Sequence, residues 1–83
     1  MNYLVGDIGN TSTKISILNK KFDIRKSYVI DTNKLDKIKY IDNFFKKILN
    51  KSLDKKILFS SVVPKIYVKI KTYLKKKNYK SFE

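Results

Sequence analysis

The sequence predicts an α/β fold in which a three-stranded meander is followed by a helix, a strand parallel to the first, and a second helix. Three observations predict it. Short apolar runs separated by turn residues fill residues 3–30, apolar spacing then changes to every third or fourth residue, and a further apolar run, Lys56 to Val63, is reached only through that stretch. A strand reached through a helix is expected to lie parallel to an earlier one, by a right-handed crossover.

Taken in order, Tyr3 to Ile8 is too continuously apolar for a strand with one wet face, which places it centrally in a sheet. Thr13 to Leu18 alternates, with Ile15 and Ile17 on one side and Lys14, Ser16 and Leu18 on the other. Asn19-Lys20-Lys21 makes a turn. Phe22 to Ile30 forms a third strand with Phe22, Ile24, Tyr28 and Ile30 on one parity; Lys26 interrupts that parity and suggests a bulge or strand exit near Lys26-Ser27. From Thr32, the residues Leu35, Ile38, Ile41, Phe45, Ile48 and Leu49 recur at helical spacing with lysines between them, the pattern of one amphipathic helix. Asp31, Thr32 or Asn33 stands where a cap is needed, and Asp36 suits the first turn through the helix dipole.

Ser52 to Lys55 reads as a loop and Lys56 to Val63 as a buried strand. Pro64 suits the first turn of a second helix, where its missing N–H costs nothing, and Ile66, Tyr67, Ile70, Tyr73 and Leu74 form the apolar stripe. Lys75-Lys76-Lys77 falls at the C-terminal end, where positive charge complements the dipole, so the run needs no binding role. Tyr79 to Glu83 reads as the approach to a fifth strand that stops before it is built. No repeat or Pro-rich linker divides residues 1–83, which are read as part of one domain truncated before that strand.

Composition narrows the function classes. A chain of 83 residues with 42% hydrophobic content holds one small core with little margin. With neither Cys nor His there is no disulfide framework, no thiolate metal site and no imidazole base, and the absence of Cys fits a cytoplasmic location. No stretch is apolar enough to span a membrane, and no basic segment precedes an apolar core as in a signal peptide. The net charge of +13 suggests nucleic acid at first sight. Arg25 is the only Arg among the 20 basic residues, however, and readers of nucleic acid favour Arg for bidentate and stacking contacts. A surplus of Lys, Asn, Ile, Tyr and Phe is what an A/T-rich coding sequence produces, so neither a specific nucleic acid nor a membrane is expected as partner. The charge still helps gather anionic ligands by long-range steering.

The chemistry concentrates in Asp7-Ile8-Gly9-Asn10-Thr11-Ser12-Thr13-Lys14, between the first two strands. Gly9 and Asn10 tolerate positive φ, so a tight hairpin there is expected to turn successive N–H groups toward one point, an anion-binding concavity. Thr11, Ser12 and Thr13 add hydroxyl donors. Asp7, at the end of the first strand, is placed to hold a hydrated magnesium ion beside nucleotide phosphates. Asp-x-Gly-Asn is also ordinary turn chemistry. A plain turn, though, needs neither an acid buried against the end of an apolar strand nor three hydroxyls in a row.

Asp7-Ile8-Gly9-Asn10-Thr11 resembles the first phosphate motif of the type III pantothenate kinases, members of the actin-like ATPase superfamily, and Ser60-Ser61-Val62-Val63-Pro64 resembles the Ser-Ser-Val-Val-Pro strand end of the same family. Asn10, where sugar kinases and type II pantothenate kinases carry a second Gly, favours type III. The resemblance implies that the strand order opens the ribonuclease-H-like half of an actin-like kinase. It implies ATP-dependent phosphorylation of pantothenate, the first step of coenzyme A biosynthesis, with ATP, Mg2+ and a monovalent cation (K+ or NH4+), in a protein that is a homodimer at full length. On that basis Asp7 orients the metal, Gly9 to Thr13 hold phosphate oxygens, Lys14 contributes charge, and Ser60 and Ser61 line the cleft.

The family's catalytic Asp in a Gly-x-Asp-Arg motif and its second Asp-x-Gly-Thr motif have no counterpart here, since Gly6 and Gly9 are the only glycines. The chain by itself is therefore expected to lack turnover. Two alternatives stand beside the kinase: a non-catalytic nucleotide-binding fragment or relic, and a ribonuclease-H-like nuclease, which also begins with an Asp on its first strand but needs further acids for two metals. If the lysine excess is coding bias, duplex DNA and RNA should bind weakly and lose that binding as salt rises. Sequence-selective binding that persists near physiological salt in a filter or anisotropy assay would overturn this.

Overall fold

The computed structural model describes residues 1–83. Its strands are β1 (Asn2–Ile8), β2 (Ser12–Leu18), β3 (Ile24–Asp31), β4 (Leu53–Ser61) and β5 (Lys80–Phe82), and its α-helices are α1 (Ile38–Lys46) and α2 (Pro64–Lys76). They form one five-stranded sheet in the order β3-β2-β1-β4-β5. The apolar run Tyr3 to Ile8 thus lies in the middle, antiparallel to β2 and parallel to β4. The α/β architecture and the parallel crossover agree with expectation.

One face of the sheet carries the core. Leu4, Ile8, Ile15, Ile57 and Phe59 point toward the helices and pack against Leu35, Ile41, Phe45, Ile66, Ile70 and Leu74, all buried. All five residues of the stripe read on α2 are buried, as its spacing requires. Gly6 sits on this face opposite Phe59, and a Cβ there would run into the Phe59 ring and the Ile15 side chain. The missing side chain is the space the ring fills. Phe59 then meets Tyr67 of α2 edge to face, with centroids 5.6 Å apart. Tyr73 of α2 donates to Asp42 Oδ1 of α1 at 2.8 Å; burial first, then this bond, pushes its phenol up to about 12, so it remains a donor at neutral pH.

Several local expectations are corrected. The single helix from Thr32 is two pieces: a 3-10 helix, Thr32–Asp36, and α1, separated by Lys37 in extended conformation at φ −111° and ψ 133°. Ile38 consequently drops out of the apolar stripe and is exposed. None of the three cap candidates bonds the start of the 3-10 helix through the N-cap, Asp31, and Asp36 lies at its end rather than in a first turn. There Asp36 accepts a hydrogen bond from Lys69 at 2.6 Å with Lys65 at 3.6 Å, which ties the 3-10 helix to α2. The Lys69 bond and then the two lysine charges hold Asp36 below the usual carboxylate range. This contribution is present above the ordinary carboxylate pKa and disappears as pH falls through the lowered one.

Phe22 belongs to the turn, at φ 66°, and β3 begins only at Ile24. The register shift lies at Arg25, since Ile17 faces Lys26 while Leu18 faces Ile24, one residue before the position expected. β4 begins at Leu53, three residues earlier than read, because Leu53 is buried and pairs with Asn2. The fifth strand is built: Lys80, Ser81 and Phe82 pair parallel with Lys56, Ile57 and Leu58.

Adding one methyl at Gly6 should cost about 1–3 kcal/mol, because it overlaps the Phe59 ring, which is packed on Tyr67 of α2 and must shift to admit it. Gly6→Ala should therefore lower the denaturant midpoint with the slope unchanged. An unshifted midpoint would show that the ring is not seated against Gly6.

Candidate functional site

The site is built where β1 ends. Asp7 pairs across the antiparallel ladder with Lys14 of β2 and across the parallel ladder with Ser60 of β4. Residues paired in this way share a sheet face, so Lys14, Asp7 and Ser60 form a row on the face away from the helices. All three are exposed. Asp7 is thus a solvent-facing carboxylate rather than one buried against the strand end. The odd-numbered residues of β1 are the ones that face away from the core, and Asp7 is one of them.

Ser61 pairs with Ile8 and belongs to the opposite face. Its hydroxyl accepts the Val63 N–H at 3.1 Å, and Val62 N–H donates to the Ile8 carbonyl at 3.0 Å, which extends the β1–β4 contact to the start of α2. Parallel pairing brings both serines to the end of the sheet that carries Asp7. Only Ser60 stands beside the carboxylate.

The connection Gly9-Asn10-Thr11-Ser12 departs from the expected turn. Neither Gly9 nor Asn10 has positive φ. The loop is closed instead by Gly9 N–H donating to the Ser12 carbonyl at 3.0 Å, and a Cβ on Gly9 would come within 3.0 Å of that same oxygen. Glycine is needed here for close approach of backbone to backbone, not for a left-handed conformation. The amides of Asn10 and Thr11 donate to no protein acceptor, and the Thr11 and Ser12 hydroxyls are exposed without partners. Two free amides in succession with two free hydroxyls form a donor-rich tip suited to an anion.

Ile8 and Thr13 do not reach that tip. Ile8 is fully buried in the core, so only its backbone is near the site. Thr13, read as a phosphate donor, is also fully buried, and its hydroxyl lies 2.8 Å from that of Thr32. Thr32 Oγ1 in turn donates to the Gly9 carbonyl at 2.7 Å, and Thr32 N–H donates to the Thr11 carbonyl at 2.9 Å. Thr32 was read from sequence only as a helix cap. Position after a strand marks a Thr as a cap candidate, and nothing local shows that its hydroxyl reaches a loop 23 residues earlier.

The residues present fit magnesium in a limited sense. No group of three or more His, Cys, Asp or Glu residues is brought together. Asp7 supplies one carboxylate, which suits a Mg2+ ion that takes most of its ligands from water and substrate phosphates.

Comparison with known proteins gives the chain's family. A family model for type III pantothenate kinase matches residues 3–81. The chain is 40% identical over 74 residues to the type III pantothenate kinase of Pelagibacter ubique (strain HTCC1062), a match that covers 88% of the chain. It spans 29% of that relative's length. With both resembling motifs, Asp7–Thr11 and Ser60–Pro64, inside the matched region, the chain belongs to the type III pantothenate kinase family.

Proposed function

We propose that this chain is the ATP-phosphate-binding part of an enzyme that phosphorylates pantothenate, the first step of coenzyme A biosynthesis. The observation that carries this reading is the loop tip, where the free amides of Asn10 and Thr11 and the hydroxyls of Thr11 and Ser12 stand beyond the row Lys14, Asp7 and Ser60. Phosphoryl transfer needs a group held in line and negative charge neutralised, and donors of this kind perform both tasks. Asp7 would hold a magnesium ion, which when bound would supply charge neutralisation for the phosphate oxygens, while Lys14 adds positive charge across the ladder. Ser60 lines the cleft wall beside them. Ser61, on the other face, braces the turn into α2.

In this reading the base for the pantothenate hydroxyl comes from the part of the kinase beyond the matched 29% of the relative's length, as do the second phosphate motif and the surfaces that pair the protein as a homodimer. The K+ or NH4+ ion implied by the family belongs with that part as well. The face opposite the helices supports the same division, because Tyr3, Val5, Leu18, Phe22, Leu58 and Phe82 line an apolar groove there, a surface for the remaining part to cover. No helix is long and apolar enough to cross a membrane, and a cytoplasmic enzyme is proposed. A ribonuclease-H-like nuclease would need a second acid where Ser60 faces Asp7.

In the full-length protein, Asp7→Asn should leave the fold intact and reduce ATP-dependent phosphorylation of pantothenate by at least roughly 10²-fold. Unchanged kinetics would remove Asp7 from the site. Residues 1–83 expressed alone should show no turnover in the same assay, and turnover there would place a catalytic base within this chain.

A further inference from the structure

We infer that Thr32 is a positioning residue for the phosphate loop: its hydroxyl and its amide pin the Gly9 and Thr11 carbonyls, which fixes the two peptide planes flanking the Asn10–Thr11 peptide and turns the Asn10 N–H away from Thr32. The inference rests on the phosphate-binding reading above and adds a residue from a different element.

A hydroxyl has one proton to give. Thr32 gives its proton to the Gly9 carbonyl at 2.7 Å, so in the 2.8 Å contact with Thr13 the donor is Thr13. The chain therefore runs from Thr13 O–H to Thr32 Oγ1 and from Thr32 O–H to the Gly9 carbonyl. Thr13 is 0% and Thr32 3% exposed, so water does not compete for the bond between the two hydroxyls, while the bond to the half-buried Gly9 carbonyl is partly shielded. Successive bonds of this kind polarise one another and strengthen in a dry setting.

The consequence for the loop follows from peptide geometry. In a planar trans peptide the C=O and the N–H of the same unit point in opposite directions. Holding the Gly9 carbonyl toward Thr32 turns the Asn10 N–H away from it, and holding the Thr11 carbonyl toward the Thr32 amide turns the Ser12 N–H away. One residue thus fixes two peptide planes on either side of the Asn10–Thr11 peptide. Thr32 is itself immobilised, since the 3-10 helix that it opens buries Leu35 and is fastened to α2 by Asp36 and Lys69. The loop needs this external support. Its internal closure is the single bond from Gly9 N–H to the Ser12 carbonyl, and neither Gly9 nor Asn10 adopts a left-handed conformation that would pre-set the turn.

The test compares Thr32→Val, which keeps shape and removes the hydroxyl, with Thr32→Ser, which keeps the hydroxyl and removes the methyl. Both are made in the full-length protein and read in two independent ways. Hydrogen exchange over residues 8–13 should accelerate in Thr32→Val and match the parent in Thr32→Ser. The KM for ATP should rise about tenfold in Thr32→Val, the equivalent of one net hydrogen bond, with the KM for pantothenate unchanged and Thr32→Ser near the parent. A purely structural role would lower the active fraction, reducing kcat without moving the KM for ATP alone. Unchanged exchange in Thr32→Val would overturn the inference. So would a tenfold rise in Thr32→Ser, which would assign the effect to packing and which decides the matter even if Thr32→Val does not fold. If the parent protein shows no phosphorylation of pantothenate, the functional reading fails, while the exchange comparison still tests the pinning of the loop.

Discussion

Everything at the candidate site depends on β1 being hydrogen-bonded along both edges while Gly6 leaves room for the Phe59 ring. The antiparallel edge delivers Lys14 to Asp7, and the parallel edge delivers Ser60. The ring over Gly6 locks α2 to the sheet through Tyr67, and α2 holds the 3-10 helix through Lys69 and Asp36. The 3-10 helix begins with Thr32, whose hydroxyl returns to the Gly9 carbonyl. A continuous path of packing and hydrogen bonds therefore leads from one missing side chain in the central strand to the geometry of the loop beyond it.

The elements legible in the sequence were those whose signal is periodic and whose environment is uniform. The predominantly apolar run of β1 specified its central place, and the stripe on α2 specified its buried face residue for residue. The break at Lys37 was not legible, because Leu35 and Ile41 fit one helical period although Ile38 between them is exposed. A 3-10 segment alters the angular position of each residue, and an apolar period alone does not reveal that change. Leu53 was lost to the loop for a related reason: polar neighbours on both sides concealed a single buried residue that pairs with Asn2. The short β5 was read as unfinished because three residues carry little pattern of their own, and its existence depends on the edge offered by β4.

At the site, residue type was informative and conformation was not. Asp7, Gly9, Asn10, Thr11 and Ser12 do cluster at one end of the sheet, and Asp7 shares a face with Lys14 and Ser60. Gly9 is used for close approach rather than positive φ, and Thr13 faces the core because it shares parity with Ile15. The alternation that identified β2 already implied that Thr13 and Ile15 lie on one face, so its withdrawal from the phosphate donors follows from strand geometry. Thr32 had no such signal. Its role is a long-range contact, and only the fold brings it to the loop.

The most direct measurement follows the backbone amides of the isotope-labelled chain by NMR while Mg·ATP is added. The largest shifts should fall on Asn10, Thr11 and Ser12, persist at moderate salt, and weaken in Asp7→Asn. Shifts spread over Lys75 to Lys77 and vanishing with salt, with the amides of Asn10 and Thr11 unmoved, would contradict the account and reduce the affinity for nucleotide to the attraction of a basic surface.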